Sequence, residues 1–405
     1  MADPQCMPLR ARIAFHDKRR RTTIITYWLK PWFCLCLAIA VGLTAHRVQA
    51  QETDADPLLE SLRWDRPVEL CGEEVPLDEW PVAERMEKEM LLSLGNRPQV
   101  ILWLKRTTRY FPFIEKVLAE SGLPEDLKYL AIAESALRRH AGSRKGAMGV
   151  WQLMPQTARR YGLTVNGRLD ERRSFFQSTP AAASYLQELH ARFGSWSLAL
   201  AAYNMGEEGL AAEILEQGIS DYYRLYLPLE TQRFVFRVLA IKLIVQDPEK
   251  YGFALAATDY YPPAPFATVL VNAFAELPLR LIAQASETDF KTIKELNPQV
   301  RGYFVAAGSY RIRIPPDGMA GFQERLGELV ATDTRIRSQS VYRVREGDSL
   351  SGIAEKFDVP LAALLIWNRI RIDTVIHPGQ QLVILPGKVN PGKTPKRPEE
   401  LGTDD

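Results

Sequence analysis

From Pro81 to Val245 the sequence carries helical periods and no alternating strand. The runs VAERMEKEMLLSL, PQVILWLKRTTRY, PFIEKVLAESG, AAASYLQELHARFG, SLALAAYNMGEEGLAAEIL and ETQRFVFRVLAIKLIV each place apolar residues at helical spacing. Gly95, Pro98, Pro112 and Gly122 read as breaks between elements. This pattern admits an all-α domain over residues 80–247. At about 165 residues it is long enough to bury its own core.

Within it lies LPEDLKYLAIAESAL, residues 123–137, read as one helix. Pro124 suits the first helical position, and Glu125 and Asp126 suit the positive end of the helix dipole. Leu127, Leu130, Ala131 and Glu134 fall on one face, and the second half is apolar nearly all round. A carboxyl in such a place is desolvated, keeps its proton and can act as a general acid. The competing reading pairs Glu134 with Arg138, four residues on.

Beyond a linker, residues 248–265, marked by Tyr260-Tyr261-Pro262-Pro263, the chain repeats itself. Shifting residues 279–315 by 71 lays Leu279 on Leu350, Ile282-Ala283 on Ile353-Ala354, Phe290 on Leu361, Asn297 on Asn368, Gly308 on Gly379 and Pro315 on Pro386. The unit reads strand, helix, helix, strand, so two small modules are expected, 266–316 and 340–386, with a connector at 317–339. The first has Glu276-Leu277 where the second has Gly347-Asp348, so their loop chemistry differs. Residues 387–405, rich in Lys, Pro, Glu and Asp, read as a disordered tail.

The chain has 405 residues, 46% hydrophobic and 25% charged, with a net charge of +2. That charge is uneven. Residues 1–50 hold eight Lys or Arg and two Asp, leaving −4 for the rest, so no nucleic-acid surface is expected. Those 50 residues read as a signal peptide. Lys18-Arg19-Arg20-Arg21 is its basic region, Trp32 to Ala45 its apolar core, and Val48-Gln49-Ala50 its cleavage site. Met7 is an alternative start, an uncleaved anchor is an alternative reading, and the paired arginines allow a twin-arginine signal. Residues 51–79 form a polar segment expected to wrap a neighbouring domain. Cys6, Cys34 and Cys36 fall in the leader, so only Cys71 remains and no internal disulfide is expected. The five histidines form no HExxH or Cys-His cluster, and no phosphate loop or G-x-S-x-G is present, so no metal is expected.

After Glu134, Gly146 and Gly149 fall among bulky neighbours, where glycine permits a tight turn or close approach to a ligand. Trp151, Gln152 and Met154 combine a flat apolar face, an amide and a soft side chain. That mix suits a sugar, though each is also a common core residue. Ala202-Tyr203-Asn204-Met205-Gly206 places a phenol and an amide near a helix end, with Tyr203 read equally well as a core tyrosine.

Taken together, Glu134-Ser135-Ala136-Leu137, Gly146-Ala147-Met148-Gly149-Val150-Trp151-Gln152-Leu153-Met154-Pro155 and Ala202-Tyr203-Asn204-Met205-Gly206 resemble the soluble lytic transglycosylase domain. The two repeats resemble LysM modules, the first in degenerate form. Over residues 80–386 the chain resembles the membrane-bound lytic murein transglycosylase D type. The resemblance implies a mainly α protein: a lysozyme-like α-helical catalytic domain followed by two small β-α-α-β LysM-like modules. It implies non-hydrolytic cleavage of peptidoglycan between N-acetylmuramic acid and N-acetylglucosamine, a 1,6-anhydromuramic product and no cofactor. Matched residue by residue, it makes Glu134 the acid and base. Ser143, Gln152 and Met154 line the cleft, Tyr203 and Asn204 lie near carboxyl and substrate, and Glu230 matches the family's glutamate. Phe234 stands where a tyrosine is common. In the second module the sugar groove is expected at Gly347, Asp348, Ser349 and Leu350 and after Trp367-Asn368, with Leu350 and Trp367 alternatively forming the small core. The expected partner is the peptidoglycan glycan strand, with no nucleic acid, in the periplasm. A monomer is expected, and peripheral association with the outer membrane stays open. Two rivals remain: a muramidase using Asp170 or Glu171 as a second carboxylate, and a non-catalytic wall-binding protein.

Overall fold

The computed structural model describes residues 56–64 and 66–385. The described residues from Ser61 onward belong to one compact unit. The leader and the tail read from the sequence lie outside the described residues, as does Pro386. Among the described residues no helix is long and apolar enough to cross a membrane.

The described part of the 51–79 segment begins with α1 (Pro57–Ser61) and continues into a small antiparallel hairpin, β1 (Glu69–Leu70) with β2 (Glu73–Glu74). Val68, Leu70 and Val75 are buried in the helical core. The Glu73 carboxylate accepts from the backbone N–H groups of Trp196 (2.6 Å) and Ser197 (3.3 Å), so it caps a later helix from outside.

Helices α2 (Trp80–Gly95) and α3 (Arg97–Glu120) follow. Pro98 sits in the first turn of α3, but Pro112 lies inside it and does not break it. Pro112 and Thr108 are both exposed, so the Thr108 carbonyl that loses its donor faces water. Burial of Tyr110, Phe111, Ile114, Val117 and Leu118 on the inner face offsets the proline's cost of about 3 kcal/mol.

The expected helix 123–137 is shorter than its apolar run. A 3-10 turn, Glu125–Leu127, leads into α4 (Lys128–Ser135). Ala136 (φ 53°) and Leu137 (φ 59°) are then left-handed without being glycine. The Ala136 N–H bonds Ile132 O (2.7 Å) and the Leu137 N–H reaches Ala131 O (3.4 Å), closing the helix in the Schellman manner. Leu137, only 1% exposed, is pulled into the core, and Arg106 donates to Ala136 O at 2.8 Å. Glu134 therefore sits in the last turn of α4.

The rest of the domain comprises α5 (Pro155–Arg160), α6 (Phe175–Phe193), α7 (Trp196–Met205), α8 (Glu207–Gln217) and α9 (Leu229–Gln246). Helix α9 buries Val235, Phe236, Val238, Leu239, Ala240 and Ile241 completely and packs against α2, α4 and α7. The ends of α4 and α7 and the start of α9 thus meet on one fixed frame.

The linker is pinned along α3. The Tyr261 N–H bonds Lys105 O at 2.7 Å, and Thr108 and Arg109 donate to the carbonyls of Tyr261 and Pro262. The first module pairs β3 (Ala267–Ala273) with β6 (Gly308–Ile314), antiparallel from Ala267↔Ile314 to Ala273↔Gly308. It adds β4 (Leu277–Pro278) with β5 (Phe304–Val305), then α10 (Leu279–Ala285) and α11 (Phe290–Leu296). The connector is itself a helix, α12 (Phe322–Gln339), whose Phe322 and Leu326 enter that module's core. The second module has β7 (Val341–Arg343) antiparallel to β8 (Gln381–Val383), with α13 (Leu350–Lys356) and α14 (Leu361–Asn368).

The repeat explains two asparagines. Asn297 donates to Ile293 O and Arg313 O and accepts from the Arg313 N–H. Asn368 donates to Leu364 O and Val383 O and accepts from the Val383 N–H. Each ties the end of the second helix to the last strand. The strand partner in the second module is Val383, one residue short of the counted shift, so the ungapped alignment slips there.

The first module is stitched to the catalytic domain by backbone bonds. The Asp170 N–H donates to Gln299 O and the Arg301 N–H to Arg168 O, each at 2.8 Å, around a bridge between Leu169 and Val300.

Candidate active site

A cleft of about 430 Å³ opens where α4, α7 and α9 converge. Glu134, Ser143, Gln152, Met154, Tyr203, Asn204 and Glu230 all line it. So do Phe234 and Arg237 of α9 and Arg144 and Lys145 of the loop.

Burial pushes the Glu134 carboxyl up to about 8. The charge of Arg237 opposes that rise, and the carboxylate of Glu230 adds to it. The negative end of the α4 dipole acts in the same direction as Glu230. Arg237 does not cancel the effect because its charge is shared with Glu89, a nearly buried acid 3.9 Å away that also pairs with Arg233. No ion pair reaches Glu134 among the described residues. Arg138 instead donates to Ser135 O (3.1 Å), which removes the competing pairing.

The opposite wall is built by the loop of residues 143–154. Gly149 (φ +84°) lies so close to Arg172 O that a Cβ would sit 1.9 Å from it. Arg172 is buried, pairs with Asp170 at 2.9 Å and donates to the carbonyls of Gly146 (2.7 Å) and Leu153 (3.0 Å). Gln152 adopts φ 48° and donates to Ala141 O (3.1 Å) and Gly149 O (2.7 Å), so its carbonyl oxygen remains for a ligand. The Ser143 hydroxyl accepts from the Ala147 N–H at 3.0 Å and holds the turn. Met154 is 42% exposed at the rim. Trp151 is not part of this wall. It is 1% exposed, with its indole N–H donating to Thr179 Oγ1 at 2.9 Å, so it is a core residue and offers no sugar platform.

The Tyr203 hydroxyl donates to Trp151 O at 2.7 Å and ties α7 to the loop. Burial holds its pKa well above the usual tyrosine value, with the Glu134 charge acting in the same direction. Asn204 Oδ1 accepts from Thr231 Oγ1 at 2.9 Å, which leaves its amide N–H groups for a ligand. Arg237 escaped the sequence reading, yet Glu230, Phe234 and Arg237 stand at i, i+4 and i+7 on α9. Extending the period from Glu230 would have found it.

The acids considered as second carboxylates lie elsewhere. Asp170 is 3% exposed and bound to Arg172. Glu171 accepts from the Thr164 N–H and from Gln177. Neither lines the cleft.

In the second module Gly347 turns the loop at φ +81°. Asp348 accepts from the Tyr342 hydroxyl (2.8 Å) and the Arg345 N–H (2.7 Å), and Ser349 caps α13 through the Gly352 N–H (3.1 Å). Two expectations need correcting. Leu350 is 8% exposed in the module core with Trp367 packed against that core, and the Asn368 amide is engaged by backbone on three sides.

A family model for the transglycosylase SLT domain matches residues 111–225, and one for the LysM domain matches residues 342–385. Membrane-bound lytic murein transglycosylase D of Escherichia coli K12 is 32% identical over 319 residues, which cover 75% of this chain and 69% of that protein. The chain belongs to the membrane-bound lytic murein transglycosylase D family. The protein of that name in E. coli O6:H1 strain CFT073 matches to the same extent. Among solved structures, the 70 kDa soluble lytic transglycosylase of E. coli is 20% identical with a TM-score of 0.32, covering 44% of this chain and 33% of that one, too slight a likeness to argue from. As a lytic murein transglycosylase, the protein is a peptidoglycan-cleaving enzyme with a LysM module for glycan. Glu230, Phe234 and Arg237 lie past the SLT match, so one wall of the cleft comes from outside the matched residues.

Proposed function

We propose that Glu134 is the single acid and base of a non-hydrolytic cleavage between N-acetylmuramic acid and N-acetylglucosamine. The observation that carries this reading is its half-buried carboxyl, held protonated at neutral pH in the same cleft as Gln152, Tyr203 and Asn204. Protonated Glu134 gives its proton to the glycosidic oxygen as the bond to the muramic C1 breaks. The substrate's own 2-acetamido oxygen attacks C1, which removes the need for a carboxylate nucleophile. Ionised Glu134 then takes the proton of the muramic O6 hydroxyl as O6 displaces the acetamido oxygen from C1. The product is a 1,6-anhydro sugar, and no water is consumed. Holding O6 beside C1 makes this step intramolecular, worth up to roughly 7–11 kcal/mol in favourable cases.

The remaining residues have binding roles in this reading. Gln152 accepts and Asn204 donates, a pair that suits N-acetyl groups, and Met154 packs on a sugar face. Tyr203 and Ser143 keep the loop in place. Arg144 and Lys145 bring positive charge to the rim, where a muramic carboxylate would lie. Gly347, Asp348 and Ser349 shape the loop by which the second module grips glycan, through backbone rather than side chains. The leader read at residues 1–50 supports export to the periplasm, and relatives named as membrane-bound support a peripheral place at a membrane.

The test is Glu134→Gln on purified sacculi. Release of anhydromuropeptides is expected to fall by about 10²–10⁴-fold, the usual contribution of a general acid. Unchanged release would leave a wall-binding protein in its place.

A further inference from the structure

A second cavity, about 1020 Å³, lies between the catalytic domain and the first module, away from Glu134. Phe176 and Gln177 of α6 form one wall, and Gln299, Tyr310, Arg311 and Arg313 form the other. Its electrostatics are unbalanced. The Arg313 guanidinium lies 4.3 Å over the Phe176 ring and 5.3 Å over that of Phe266, and Nη1 is 3.4 Å from the Ser174 hydroxyl. Arg313 Nε is buried with no partner, and no carboxylate pairs with Arg313 among the described residues. Burial alone pulls its pKa down to about 10, against the sense an acid partner would impose. Arg311 is exposed beside it on β6. The acid of this cavity, Glu171, is already engaged by the Thr164 N–H and by Gln177. Gln299 is 4% exposed and its Oε1 is sealed from solvent, so it backs the groove without offering a contact.

A guanidinium taken from water without an acid is costly, and the cost is relieved by an anion that meets it bidentately. Arg311, exposed on the same groove, adds a second guanidinium. The ligand class this asks for is a carboxylate, and Phe176 and Tyr310 supply apolar faces for the group that carries it. We propose that this groove binds the carboxylate-bearing arm of a muramic acid unit, at a site separate from the cleft at Glu134. The arm is the lactyl group, which ends in its own carboxylate when free and in the carboxylates of the stem when a peptide is joined to it by an amide. The proposal rests on the proposed function only for the polymer that supplies the arm.

The test compares the full-length protein with Arg313→Met, which keeps an apolar body between the two phenylalanines, and with Arg311→Gln on the surface. Calorimetry measures binding of three probes that lack the scissile bond. They are N-acetylglucosaminyl-N-acetylmuramic acid with a tetrapeptide, the same disaccharide with a free lactyl carboxylate, and neutral tri-N-acetylchitotriose. Arg313→Met is expected to weaken the tetrapeptide probe by about tenfold and Arg311→Gln by about threefold, with chitotriose unchanged in both. Loss for the free-lactyl probe alone assigns the lactyl carboxylate, loss for the tetrapeptide probe alone assigns a stem carboxylate, and equal loss assigns a site that takes either. Wild-type affinity for the acidic probes in Arg311→Gln and in folded Arg313→Met overturns the proposal. If Arg313→Met does not fold, unchanged binding in Arg311→Gln alone overturns it. The kcat for anhydro product from peptide-free glycan is expected to be unaffected, so the site can fail without touching the chemistry at Glu134.

Discussion

The Glu134 carboxyl is costly to the fold, and the sign of that cost can be tested. Its pKa is raised from 4.5 to about 8. Between these values the native state holds a proton that the unfolded chain has released, so stability falls as pH rises across that window. Glu134→Gln is therefore expected to stabilise the protein by roughly 2–5 kcal/mol at pH 8–9 and not at all below pH 4, read from denaturant melts. In the proposed mechanism the same proton limits the rate. Cleavage of soluble glycan is expected to be flat from about pH 5 to 7 and to fall about tenfold per unit above pH 8. A falling limb below pH 6 instead would assign the acid to another group. The lone glutamate on an apolar face was legible in the sequence because the 3.6 period and the surrounding aliphatics are local. Arg237 was within reach of the same period run from Glu230, but its tether to Glu89 was not, since nothing local says that α2 and α9 lie side by side.

At the scale of elements, the sequence pattern showed where helices lie better than where they stop. Residues 136 and 137 looked helical because Ala and Leu are good helix formers, yet tertiary packing of Leu137 forces both into left-handed geometry. Pro112 looked like a break because the pattern does not reveal that its bare carbonyl faces water. Trp151 looked like a sugar platform because composition cannot separate a core indole from an exposed one. The strain at Ala136 gives its own prediction. Ala136→Gly removes a left-handed penalty of about 1–2 kcal/mol and adds unfolded-state entropy of under about 1 kcal/mol. A net gain of about 0.5–1 kcal/mol is expected in urea melts, without loss of cleavage. A loss of stability would show that the αL turn carries no strain.

Across the molecule, the two modules are held differently. The first is bonded to the catalytic domain through Asp170, Arg301 and the Leu169–Val300 bridge, and its core takes in α12. The second keeps a core of its own and a loop open at Gly347. It meets the first at Glu276, which pairs with Arg369 at 2.7 Å and with Arg168 of the catalytic domain. The 71-residue repeat disclosed the modules but not this difference, because the repeat records shared topology and not what each face touches. Removal of residues 340–405 is expected to leave cleavage of short soluble strands within twofold. Solubilisation of intact sacculi should slow by about 10–100-fold, the scale of a lost tether. Equal loss on both substrates would place the second module in the catalytic site itself. The whole account turns on a bond broken without water, and digestion of sacculi in ¹⁸O-labelled water tests it most directly. The mechanism predicts muramic products that carry no label, each lighter by one water than its hydrolytic counterpart. Label at the muramic C1 would contradict it.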